Sequence, residues 1–151
     1  MRFMALLTIS VLSLSSCIAQ EENSIKEPIY IESEEFSALN LPFSQSVING
    51  GVIYVSGQIG NIGLQLVEGG IIPETRQTMI NIQSILEQSG SSMDDVIKCT
   101  CMLADMSEWP EMNSEYLKFF PNNKPARSAF GTNGLALNAR VEIECIALSK
   151  K

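Results

Sequence analysis

The chain has 151 residues, enough for one domain, with 45% hydrophobic and 18% charged residues. It contains no histidine, which excludes His-based triads, His general bases and His-ligated metals. Its net charge of −7 repels phosphate backbones, so nucleic acid is not an expected partner.

The first residues are apolar from Phe3 to Leu14, broken by Thr8, Ser10 and Ser13. That run has the length of a signal-peptide core and is too short to span a bilayer. It ends in Leu14-Ser15-Ser16-Cys17, which resembles the lipobox of bacterial lipoproteins. Residues 1–16 are therefore expected to be a lipoprotein-type signal peptide, with Cys17 the lipidated residue. An ordinary signal cut after Ala19 and a buried N-terminal strand are the alternatives. Either signal implies export to the bacterial cell envelope, lipid-anchored or periplasmic. Cleavage before Cys17 would remove Arg2 and leave a net charge of −8.

Residues 17–39 are expected to form an acidic, flexible tether. Glu21, Glu22, Glu27, Glu32, Glu34 and Glu35 are opposed by Lys26 alone. Ile29-Tyr30-Ile31 could still dock on the domain as a short strand. The domain itself is expected over residues 40–151.

Within it, Ser44–Ile48 and Val52–Gln58 flank Asn49-Gly50-Gly51, a hairpin signal. Gly60 to Gly70 reads as a loop with a short extended piece at Leu64–Val67. Pro73-Glu74-Thr75 opens a helix in which Met79, Ile82, Ile85 and Leu86 recur at helical spacing. Gly90 closes it. Val96–Leu103 is a strand, Trp109–Phe120 a second helix and Ala126–Phe130 a short strand. In the last strand, Arg140–Leu148, Val141, Ile143, Cys145 and Ala147 alternate with Glu142, Glu144 and Ile146. The pattern predicts an α+β fold, a mixed sheet with two helices on one face. Of the cysteines, Cys99, Cys101 and Cys145 read as small buried residues. A bridge from Cys145 to Cys99 or Cys101 is the other possibility.

Arg127 stands among small and apolar residues, where an unpaired charge is costly. Either it forms a structural ion pair or its planar fork awaits a carboxylate. Glu142 and Glu144 share one strand face, so each is either a solvated side chain or, on a closed face, a candidate acid/base.

Three segments go further: Val55-Ser56-Gly57-Gln58-Ile59, Pro125-Ala126-Arg127-Ser128 and Val141-Glu142-Ile143-Glu144-Cys145-Ile146-Ala147. With Asn113-Ser114-Glu115-Tyr116 and Phe119-Phe120-Pro121, they resemble the signature of the reactive intermediate deaminase (RidA, or YjgF) family, in order from Leu41 to Lys150. The resemblance implies a chorismate-mutase-like homotrimeric barrel with sites between subunits. It implies hydrolysis of enamine/imine acids, such as 2-aminoacrylate and 2-iminobutanoate, to 2-oxo acids and ammonia, without metal or organic cofactor. It assigns Arg127 to the carboxylate and Glu142 to the water, with Ser56, Gly57 and Asn113 lining the pocket. Phe43 stands where the family often has Tyr, and Ala129 where many members have Cys. Two other functions remain open: a non-catalytic envelope module binding small carboxylates, and an endoribonuclease.

Overall fold

The computed structural model describes residues 27–150. Eight strands are present: β1 (Ile29–Ile31), β2 (Ser46–Asn49), β3 (Val52–Ile59), β4 (Asn61–Ile62), β5 (Gln65–Leu66), β6 (Val96–Leu103), β7 (Ala126–Gly131) and β8 (Val141–Leu148). Three helices join them: α1 (Glu34–Ser37), α2 (Ile71–Gln88) and α3 (Trp109–Tyr116). Six strands form one sheet in the order β1-β2-β3-β8-β6-β7, antiparallel except for the parallel pair β6–β7. The expected α+β architecture is what the chain adopts.

The β2–β3 hairpin turns at Gly50 and Gly51, whose φ values of 56° and 79° suit a two-residue turn that only glycine and a few polar residues make readily. Helix α2 begins at Ile71, ahead of the expected Pro73, because proline is tolerated anywhere in a first turn whose N–H groups lack helical acceptors. It ends in a Schellman motif: Ser91 N–H donates to Leu86 O at 2.8 Å, Gly90 N–H donates to Glu87 O, and Gly90 takes φ 78°. The expected second helix is split into α3 and a 3-10 turn, Leu117–Phe119.

Helices α2 and α3 cover one face of the sheet. Ile82, Met79 and Leu86 of α2 and Met112 and Tyr116 of α3 join Ile53, Val55, Cys99, Leu103, Val141, Ile143 and Ala147 in one buried core. Truncating a fully buried side chain such as Ile82 to Ala should cost about 2–5 kcal/mol. Cys99 and Cys145 are direct partners across β6 and β8 and are joined by a disulfide; Cys101 is free and buried.

The expected tether over 17–39 is corrected in its second half. Strand β1 extends the sheet, with Ile29, Tyr30 and Ile31 opposite Ile48, Val47 and Ser46. Ser33 caps α1, its hydroxyl accepting from Phe36 N–H at 3.2 Å. The hydroxyls of Ser37 and Ser44 both donate to the Glu32 carboxylate, each at 2.8 Å. The acidic side chains project outward while Ile31 and Phe36 turn partly inward, so a high charge count is compatible with docking. The expected signal peptide, Cys17 and the first part of the tether lie outside the described residues. Among the described residues, no helix is long and apolar enough to cross a membrane.

Candidate functional site

Strand β7 lies at one edge of the sheet and places Arg127. Its parallel register sets Arg127 beside Cys99 and Ala129 beside Cys101, on the helix-bearing face. The guanidinium carbon of Arg127 stands 4.8 Å from the centre of the Tyr116 ring, on α3. The Tyr116 ring in turn leans on Phe120, with centres 4.8 Å apart.

The other two described arginines are committed. Arg76 donates to Glu115 at 2.7 Å, and Arg140 pairs with Glu108 and, at 3.8 Å, with Glu74. Lys118 shares Glu115, which is 2% exposed. The hydrogen bond from Arg76 holds the Glu115 carboxyl below the ordinary glutamate range despite its burial. Arg127, by contrast, has no ion-pair partner among the described residues. Of the two readings open in the sequence, the structural ion pair is therefore absent here. Burial lifts the nearby Cys101 thiol to about 11, against a smaller opposing pull from the Arg127 charge.

Glu142 occupies the helix-free face, in register with Met102, which in turn pairs with Phe130. It is half-buried. Burial, and then the charge of Glu144, raises its carboxyl above the ordinary glutamate value of 4.5. The register of β3 on β8 slips between Val55 and Gln58, and this bulge brings Gly57 against the Glu142 side chain.

Phe43 and Ser56 line a cavity of about 480 Å³ together with Tyr30, Glu32 and Ser44. The Ser56 hydroxyl donates to Ser44 O at 2.7 Å, tying β3 to the segment that carries Phe43. Asn113 lies half-buried on α3, one turn before Tyr116. Ala129 packs partly against the core.

The expected site residues thus fall into three groups: Phe43 with Ser56, Gly57 with Glu142, and Arg127 with the helix that carries Asn113. One chain does not bring Arg127 and Glu142 together, since they occupy opposite faces of the sheet. Two residues beside these groups were not singled out in the sequence: Tyr116 beneath Arg127, and Glu32 in the cavity with Phe43. Neither contact has a local signal, because each joins residues from separate elements. Among the described residues, no group of three His, Cys, Asp or Glu side chains is placed to hold a metal ion.

A guanidinium without a counter-ion can take a planar carboxylate at two points, and a carboxylate with a raised proton affinity is a stronger general base. The chain is similar in sequence and in fold to known proteins. Residues 34–149 match the family model described as Endoribonuclease L-PSP, and the chain belongs to that family. The human protein named 2-iminobutanoate/2-iminopropanoate deaminase is 39% identical over 110 residues, covering 71% of this chain and 80% of that protein. The Arabidopsis thaliana protein named Reactive Intermediate Deaminase A, chloroplastic, is 35% identical over 127 residues, covering 83% and 67%. The Schizosaccharomyces pombe protein named mmf1, mitochondrial, is 38% identical over 128 residues, covering 83% and 77%. Among solved structures, the yeast protein YEO7 is 35% identical with a TM-score of 0.77, covering 82% of this chain and all of that one.

These relatives correct the expected location. Proteins similar over most of the chain are named for the mitochondrion and the chloroplast, not for a bacterial envelope. The export reading rested on the apolar run Phe3–Leu14 and on the four residues Leu14 to Cys17, all outside the residues that these relatives and the structure bear on.

Proposed function

We propose that the chain hydrolyses small enamine and imine acids, of the 2-aminoacrylate and 2-iminobutanoate type, to 2-oxo acids and ammonia. The carrying observation is the uncompensated guanidinium of Arg127 on the ring of Tyr116. The deaminases among its relatives support the same reading.

In this mechanism Arg127 binds the substrate carboxylate and fixes the plane of the adjacent C=N group. Glu142 orients a water molecule and accepts its proton as oxygen bonds to the imine carbon. The nitrogen takes up the proton held by Glu142 and then the hydroxyl proton of the resulting carbinolamine; the C–N bond breaks, ammonia leaves, and the carbon keeps the oxygen as a 2-oxo group. Ser56, Gly57, Asn113, Phe43 and Ala129 shape the pocket. The residues invoked need no metal or organic cofactor.

The assembly is a homotrimer. Two observations support association between copies of the chain. Tyr54, Phe130 and Leu148 leave the helix-free face about half exposed, at 49%, 48% and 48%. Arg127 and Glu142 lie on opposite faces of one chain, so a neighbouring copy is the simplest means of completing a cleft that uses both.

The family's descriptive name points instead to RNA cleavage. A net charge of −7 and the lack of histidine work against phosphate binding and against His acid/base chemistry. The test is ammonia release from freshly generated 2-iminobutanoate. Wild type should far exceed Arg127→Ala, and equal rates would overturn the proposal. Binding of 2-oxobutanoate without turnover would leave a carboxylate-binding module.

A further inference from the structure

We propose that Tyr116 is the positioning residue for Arg127: its buried ring holds the guanidinium in place without neutralising it. This rests on the reading of Arg127 as the carboxylate grip.

A carboxylate-binding arginine must meet two conflicting requirements. Its long side chain has to be held in one orientation, and its charge has to stay available. A glutamate partner would satisfy the first and defeat the second, because it would occupy the same fork as the substrate. An aromatic face satisfies both. Its quadrupole attracts the cation, and its flat surface orients the guanidinium plane, leaving the N–H edge free.

Tyr116 has the required setting. The guanidinium carbon is 4.8 Å from the ring centre, within cation–π range. Arg127 has no ion pair with another described residue, and the Tyr116 ring is the contact its guanidinium makes. Tyr116 is only 3% exposed and is backed by Phe120, so the platform itself is fixed. The preceding residue, Glu115, is bridged by Arg76 of α2, which fixes α3 against α2, and is also paired with Lys118 of the next turn. The Tyr116 hydroxyl has no hydrogen-bond partner among the described residues. The ring face and not the hydroxyl therefore carries the contact, and phenylalanine should serve equally well.

The experiment replaces Tyr116 with phenylalanine and with its mono-, di- and trifluoro analogues. The shape changes little along this series while the negative potential of the ring face is withdrawn stepwise. Three quantities are measured on the full chain: KM and kcat for 2-iminobutanoate, Kd for 2-oxobutanoate by calorimetry, and Tm. Tyr116→Phe should match wild type. Along the fluorinated series KM and Kd should climb steadily, about tenfold in total, with kcat changing less and Tm not following the trend. A purely structural ring would leave KM and Kd flat, and flat values with an active wild type overturn the proposal. If wild type binds 2-oxobutanoate but releases no ammonia, a Kd that climbs along the series upholds the role of Tyr116 while the deaminase reading falls. If wild type neither binds nor hydrolyses, both fall.

Discussion

Gly57 and Glu142 touch in a way that leaves no room for a side chain between them. A Cβ added at Gly57 would run into Glu142 Oε1 and lie 3.0 Å from its Cδ. The obstacle is the far end of a flexible side chain, so the fold can yield but the carboxylate cannot keep its place. Gly57→Ala should therefore lower kcat to about the level of Glu142→Gln while leaving the denaturant midpoint nearly unchanged. Gly60→Ala is the contrasting control. Its Cβ would meet the Glu74 backbone, with O at 2.5 Å and Cα at 2.6 Å, in the first turn of α2. That substitution should destabilise by about 1–3 kcal/mol with activity per folded molecule retained. Urea unfolding and steady-state kinetics on both variants check the pair.

Arg127→Ala should reduce kcat/KM for 2-iminobutanoate by about 10- to 100-fold or more, corresponding to about 1.5–3 kcal/mol for a hydrogen bond to a charged group. Arg127→Lys should recover little of this, since an ammonium cannot present the two-point fork. Because Arg127 makes no ion pair among the described residues, neither change should shift Tm by more than a few degrees. Ammonia-release kinetics and thermal melts on the same samples test this.

The half-buried carboxyl of Glu142 gives the reaction an acid limb. The rate should rise with pH through a value above the ordinary 4.5, and Glu142→Gln should abolish both the limb and most of the rate. Stability runs the other way. A carboxyl whose folded value is raised favours folding below the unfolded value, and that contribution is lost as pH rises through the folded value. Glu142→Gln should thus gain Tm relative to wild type near pH 7, and the gain should vanish below about pH 4. Melts across this range, beside a pH–rate profile, would separate the two effects.

Glu115 has the opposite sign. Its folded value is depressed, chiefly by the hydrogen bond from Arg76, so its contribution is present above the ordinary 4.5 and is lost as pH falls through the folded value. Glu115→Gln should cost about 1.5–3 kcal/mol at pH 7, the range for hydrogen bonds to charged groups, because Arg76 and Lys118 are free to turn to solvent. The deficit should shrink towards zero on acidification. Chemical denaturation at pH 7 and at pH 3.5 would reveal it.

Much of the molecule was legible in the residues themselves. The spacing of Met79, Ile82, Ile85 and Leu86 defined α2, the Asn49-Gly50-Gly51 turn defined the hairpin, and the alternation through Val141–Ala147 defined β8. These are local properties: helical and strand periods, and the positive φ that glycine accepts, act over a few residues. In the acidic stretch before Asn40 the docked strand left open at Ile29–Ile31 is the reading that holds, because charge count reports solvation of side chains while β1 is held by backbone pairing to β2.

The relation of Arg127 to the rest of the site was decided by the tertiary structure alone. The segment Pro125–Ser128 marked the residue, but only the parallel register of β7 on β6 turned it to the helix-bearing face and over Tyr116. The same strand order put Glu142 on the other face, and a bulge in β3 pressed Gly57 against it. It also set Cys99 opposite Cys145 across 46 residues of chain. Such contacts depend on which strands become neighbours and in what register, and a one-residue slip would exchange every face. The sequence by itself determined the elements and the identity of the charged groups. Packing decided which charges were neutralised, and among the described residues it left Arg127 without a counter-ion.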